Sequence, residues 1–156
     1  MNIHDYLIDQ TGLDWSSLLK EWHWLLPPKF SVWLFTRAGD LFIKLPDGSI
    51  HMLEVGSGEL KQVANSREDA CVKIDEAGVA KEWLMIPVVD QLVASGRVLG
   101  MGQCYSYKML PILGGSYALE GRVLLPIREH FGLCGELHHK VSNLPDGAEI
   151  EIKVSE

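Results

Sequence analysis

This sequence predicts an α+β fold, a mostly antiparallel sheet with helices packed to one side, and three observations carry that expectation. Residues 31–55 are dense in Val, Trp, Phe and Ile and are cut by tight turn signals. Residues 14–24 and 79–95 instead repeat apolar side chains at helical spacing. The expected strands are short and closely joined, so neighbours in sequence should pair. A length of 156 residues, with 47% hydrophobic and 22% charged, suits a single globular domain over 1–156.

Each element follows from local chemistry. In DWSSLLKEWHW, Trp15, Leu18, Leu19 and Trp22 fall at i, i+3, i+4 and i+7, with Asp14 placed to cap and Pro27-Pro28 placed to stop the helix. Three strands are expected at about 31–37, 40–45 and 49–55, joined through Ala38-Gly39-Asp40 and Pro46-Asp47-Gly48. Asn65 or Ser66 caps a helix that opens SRED and fades near Gly78. A second helix over roughly 79–95 carries Trp83, Ile86, Val89, Asp90 and Val93 and closes at Gly96, although Pro87 obscures its first turn. Arg122 to Arg128 reads as a strand at a sheet edge, where Pro126 does least harm. Residues 129–141 place Phe131, Cys134, Leu137, His138 and Val141 at helical spacing, yet Gly132 and Gly135 weaken that reading. Leu144 to Gly147 gives another turn, and Ala148 to Val154 alternates as a last strand.

The most unusual stretch is GQCYSYKMLPILGGSY, residues 102–117. Gly102, Pro111, Gly114 and Gly115 bend the backbone, Gln103 and Cys104 belong to the same structural signature, and Tyr117 returns to the core. Cys71, Cys104 and Cys134 are odd in number with no C-x-x-C spacing, which predicts reduced thiols in a cytoplasmic protein. A nucleophilic Cys104 would need a depressed pKa from a nearby cation or histidine, for which Lys108, His130, His138 and His139 are the candidates. No cysteine-hydrolase signature surrounds it, and a packed thiol is the expectation. His138 and His139 are adjacent, so they project about 100° apart on a helix and do not face one metal together. His51 is expected on the polar face of the meander. Gly56-Ser57-Gly58 and Gly100-Met101-Gly102 lack the continuation of a nucleotide-binding loop, so no cofactor and no metal is expected.

Charge narrows the partners. A net charge of −7 argues against nucleic acid, and no apolar run approaches the roughly 20 residues a membrane span needs. MNIHDYLIDQTG has no basic start and no long apolar core, so it does not read as a secretory signal. Between Arg97 and Arg128 lie four basic residues and one acid, Glu120. This locally basic segment is read as an interaction edge in which Tyr105, Tyr107, Lys108 and Arg122 supply aromatic and cationic contacts. Trp24, beside a helix end, either covers the core edge or anchors a partner. A second docking mode uses Glu54 to Glu82, with seven acids and four bases on expected exposed helical surface, to steer a basic partner.

In order along the chain, TRAGDLFIKLPDGSIHMLEVGSGEL, NSREDA, EWLMIPVVDQL, GQCYSYKMLPILGGSY and the late LPDG resemble the C-terminal domain family of bacterial type VI secretion immunity proteins. The resemblance spans about residues 30–154, and its most specific element is the 102–117 run. It implies a non-enzymatic α+β domain, related to the broader SUKH immunity folds, that neutralises a co-produced toxin, a DNA-degrading one in some members. Longer members carry an additional N-terminal domain, where this chain has a helical lead-in over 1–30. The expected function is occlusion of a cognate toxin by surface fit. The rivals are a small hydrolase or transferase using Cys104, and a structural module that self-associates into a homo-oligomer.

Overall fold

The computed structural model describes residues 2–76 and 78–143. The turn expected at 144–147 and the strand expected at 148–154 lie outside the described residues. Among those described, β1 (Ser31–Phe35), β2 (Leu41–Lys44), β3 (Ile50–Glu54) and β4 (Glu59–Ala64) form an antiparallel meander in sequence order. The three expected strands are there, and β4 is an addition. Its Glu59, Lys61 and Gln62 are exposed and only Ala64 is buried, so it carries little apolar alternation to announce a strand. The acidic stretch from Glu54 to Glu82 is therefore part strand and not wholly helical surface.

The lead-in covers the outer edge of β1. Ile8 N–H donates to the Phe35 carbonyl at 2.8 Å, Arg37 N–H to Tyr6 at 2.9 Å, and the Gln10 amide to Trp33 at 3.0 Å. This satisfies backbone groups that an open edge would offer to another chain. The single helix expected at 14–24 is instead split into α1 (Trp15–Leu18) and a 3₁₀ turn, Lys20–Trp22. Asp14 caps as expected, accepting from Ser17 N–H at 3.3 Å. Trp22 accounts for the split: it is fully buried and its indole donates to the Phe131 carbonyl at 2.9 Å, a tertiary demand that overrides local helical continuity.

Ser66 starts α2 (Arg67–Ile74) by accepting from Asp69 N–H at 3.0 Å, and the Asp69 carboxylate accepts in return from Asn65 N–H at 3.0 Å. The helix stops at Ile74, short of Gly78. The single helix expected over 79–95 is two, α3 (Val79–Trp83) and α4 (Ile86–Ala94), because Met85 takes a left-handed conformation at φ 50°. Pro87 sits in the first turn of α4, where a missing N–H costs no helical bond.

β5 (Gln103–Tyr107) and β6 (Arg122–Pro126) form a separate antiparallel pair, linked to the meander's turn by Tyr105 N–H donating to Arg37 O at 2.9 Å. α5 (Ile127–Ser142) runs through both suspect glycines. Gly135 is required there, since a Cβ would stand 2.8 Å from the Glu21 carbonyl oxygen and 2.8 Å from the Trp22 indole nitrogen. Leu41 and Ile43 pack with Trp22, Phe35 and Phe131, whereas Phe42 between them packs with Ala70, Ala80 and Leu84. The meander thus carries core on both faces. The α+β class is as expected, and helices pack on both faces of the sheet, with α1 and α5 on the Leu41 and Ile43 side and α2 and α3 on the Phe42 side.

Candidate functional site

The 102–117 run forms β5 and most of the loop 108–121 that leads into β6. Gly102 (φ 77°) lets the chain enter β5, and Gly114 (φ 99°) lets it reverse after the 3₁₀ turn Pro111–Leu113. At Gly115 the backbone passes so close to Met109 and Leu110 that any Cβ would overlap the Met109 carbonyl. Gln103 braces the entry, its side-chain oxygen accepting from Gly100 N–H at 2.8 Å. Tyr117 ends the run over Gly56, stacked edge-on to Tyr107 at 5.8 Å, with its hydroxyl donating to Glu54 at 3.2 Å.

β5 is buried on both faces. Cys104, Tyr105, Ser106 and Tyr107 are all below one-tenth exposed, and Arg122 is 1% exposed. Three of the five expected contact residues, Tyr105, Tyr107 and Arg122, are therefore interior groups that no docked partner touches without rearrangement. Tyr105 donates its hydroxyl to the Arg97 carbonyl. Arg122 braces three segments from within: Nε donates to Tyr117 O at 3.0 Å, Nη1 to Ala38 O at 3.2 Å, and Nη2 to the Met85 sulfur at 3.0 Å. Its guanidinium also lies 4.1 Å from the Tyr107 ring centre, so aromatic and carbonyl groups take the place of water around the charge. Lys108 is exposed, and Trp24 is half-buried with its indole donating to Glu21 O at 2.8 Å and its ring stacked on exposed His139 at 5.2 Å. Lys108 and Trp24 are the expected contact residues that reach the surface.

Behind the segment lies a polar cluster that the sequence reading did not single out. Asp40, 1% exposed, accepts from Val55 N–H at 2.9 Å, and burial raises its carboxyl to about 7. His130 is fully buried: Nε2 donates to Gly39 O at 2.8 Å, so in the neutral ring Nδ1 accepts from the Ser106 hydroxyl at 2.7 Å. Burial lowers His130 to about 4, which keeps the ring neutral. The Tyr107 hydroxyl, close against Gly56, is buried without a hydrogen-bond partner among the described residues. In the sequence Gly39-Asp40 reads as a turn signal and as the start of a motif of the resemblance, and His130 as one candidate partner for a thiol.

The thiol chemistry does not assemble. Cys104 is 0% exposed, and burial pushes its thiol far above the ordinary range; Cys134 is raised to about 12 for the same reason. Both of His130's ring nitrogens are already engaged with Ser106 and Gly39, so it is not poised to deprotonate Cys104. His138 points inward and donates to Val55 O at 2.7 Å. Among the described residues no three His, Cys, Asp or Glu groups are placed to hold a metal. A cleft of about 490 Å³ is lined by Tyr6, Arg37, Val89 and Asp90 and includes no residue of the 102–117 run. Cys71, the remaining thiol, is exposed.

The distinctive segment therefore supplies shape, with Cys104 enclosed and His130 held neutral. Residues 66–138 match the family model described as T6SS immunity protein Tdi1, C-terminal. The resemblance to the C-terminal domain of type VI secretion immunity proteins is thereby shown over α2 to α5, a narrower span than the 30–154 read from sequence motifs. The match supports an immunity role. No curated protein matches the chain. No helix among the described residues is long and apolar enough to cross a membrane.

Proposed function

We propose that this protein neutralises a cognate type VI secretion toxin by binding it directly and covering its working surface, with no bond made or broken. The family match over 66–138 carries the reading, and the burial of Cys104 counts against the cysteine-dependent alternative. Occlusion needs an ordinary interface of about 800 Å² per partner and no catalytic group. Lys108 and Trp24 remain the contact residues proposed from the sequence, and a cytoplasmic location is where an incoming toxin would be met.

A nuclease is the target class that the acidic surface favours. Glu59, Glu68, Asp75, Glu76 and Glu82 are exposed on β4, α2, α3 and the turns between, and their long-range field would speed the approach of a basic toxin without themselves forming the docked contact. Co-expression with a candidate type VI effector drawn from the neighbouring genes tests the role. The expected result is restored growth and a complex that survives size exclusion; continued killing by an effector that does not co-elute would refute it.

A further inference from the structure

Of the eight large hydrophobic side chains left exposed among the described residues, six lie between positions 93 and 117. The stretch from Gln91 to Leu119 contains no acidic residue, in a chain with 21 acids and a net charge of −7. Apolar exposure thus coincides with a stretch of sequence poor in carboxylates, with exposed Glu120 at the end of the second loop and Glu54 accepting from the Tyr117 hydroxyl. Contiguous apolar exposure in an otherwise polar surface marks an interaction site.

Two loops carry this surface. Residues 95–102 present Val98, 64% exposed, and Met101, fully exposed; loop 108–121 presents Met109 and Ile112, each about half exposed. The loops are tied together, since Arg97 Nη1 donates to the Leu119 carbonyl at 3.2 Å, and Leu99 and Leu119 pack around the same Tyr105 cluster. They flank β5, whose five residues span roughly 16 Å at about 3.3 Å per residue. A standard interface of about 800 Å² per partner is roughly 30 Å across, so both fit beneath one partner.

The longer loop is also held in shape from within. Lys108 N–H donates to Gly121 O at 2.9 Å, Gly115 N–H to Leu110 O at 3.1 Å, and buried Arg122 clamps the Tyr117 carbonyl at 3.0 Å. A surface ordered before contact loses little conformational freedom on binding.

We propose that loops 95–102 and 108–121 form one docking face for the toxin, and that the toxin meets it with an apolar centre rimmed by carboxylates. The inference rests on the immunity reading. Arg97 and Lys108 are both exposed on this face, which fits acidic groups on the partner. An isologous contact with a second copy would bring together two faces that each carry Arg97 and Lys108 against the single acid Glu120, a net like-charge pairing. An anionic membrane would repel the −7 chain while gaining only two cations from the loops.

The test measures binding of the purified candidate effector to wild type, to Met101→Asp/Ile112→Asp, and to Val72→Asp/Leu133→Asp, the last pair lying outside the face. All four side chains are exposed, so thermal midpoints should not move, and the midpoint is recorded for each variant. The expected result is at least a hundredfold loss of affinity for the first pair and less than a threefold change for the second. Arg97→Glu/Lys108→Glu should separately lower the association rate at least tenfold at low salt. Tight binding by wild type together with unchanged binding by the first pair overturns the docking face but leaves the immunity reading intact. No binding by wild type overturns both. A wild-type dimer in sedimentation that Met101→Asp/Ile112→Asp dissociates would assign the face to a second copy and overturn the toxin as its occupant.

Discussion

Replacing Asp40 with asparagine should make the protein more stable above neutral pH and change its pH profile in a defined direction. Asp40 is 1% exposed, and its carboxyl, raised by burial, has a value of about 7 in the fold against 3.8 as an isolated side chain. A folded value above the unfolded one means that the folded state binds the proton more tightly. The associated stability is complete below pH 3.8 and is lost progressively as pH rises towards 7. At about 1.4 kcal/mol per pH unit, the interval corresponds to roughly 4 kcal/mol. Asparagine keeps an oxygen to accept from Val55 N–H and never ionises. Urea unfolding of both proteins from pH 4 to 9 should therefore show a difference near zero at pH 4. That difference should grow in the variant's favour to a few kcal/mol by pH 7 to 8 and then level off. His130 acts in the opposite sense, because its value is lowered to about 4: its contribution is complete above about 6.5 and is lost as pH falls towards 4. Comparing variant with wild type cancels that term. A difference independent of pH, or one that grows towards acid, would refute the reasoning.

Three further outcomes follow from the same geometry. Cys104→Ser should lose about 1–3 kcal/mol of stability by burying a hydroxyl, yet keep full neutralising ability in a growth-rescue assay. A thiol reagent should modify Cys71 alone in the native protein and Cys104 and Cys134 only after denaturant is added, read as mass increments, because only Cys71 is exposed. Gly115→Ala, which drives a methyl into the Met109 carbonyl, should lower the melting temperature by more than 10 °C or leave the chain insoluble, whereas Gly132→Ala, with open space around it, should stabilise α5 by up to about 1 kcal/mol.

Much of the fold was legible because its signals were local. Asp14 and Ser66 cap as their side chains predict, and the turns at 38–40 and 46–48 set the meander. What escaped was set by long-range contacts. The break at Met85 was hidden because apolar spacing continues from Trp83 through Val93, and only the left-handed residue itself separates the helices. β4 escaped because a solvated edge strand shows few apolar residues. The burial of Tyr105, Tyr107 and Arg122 was hidden for a similar reason. A strand covered on both faces loses the alternation that distinguishes inside from outside, and an arginine closed in by two carbonyls, a sulfur and a tyrosine ring looks in sequence like any surface cation. The bends at Gly102, Gly114 and Gly115 and the burial of Cys104 were readable, since backbone geometry and thiol burial follow from residue type more directly than side-chain direction does.

The sharpest test of neutralisation by binding is a titration of the toxin's activity with increasing amounts of this protein, read after short and long incubation. Binding predicts that activity falls linearly and vanishes near a fixed molar ratio, with the same end point at both times. Inactivation by far less than one equivalent that deepens with time would show turnover and contradict the account.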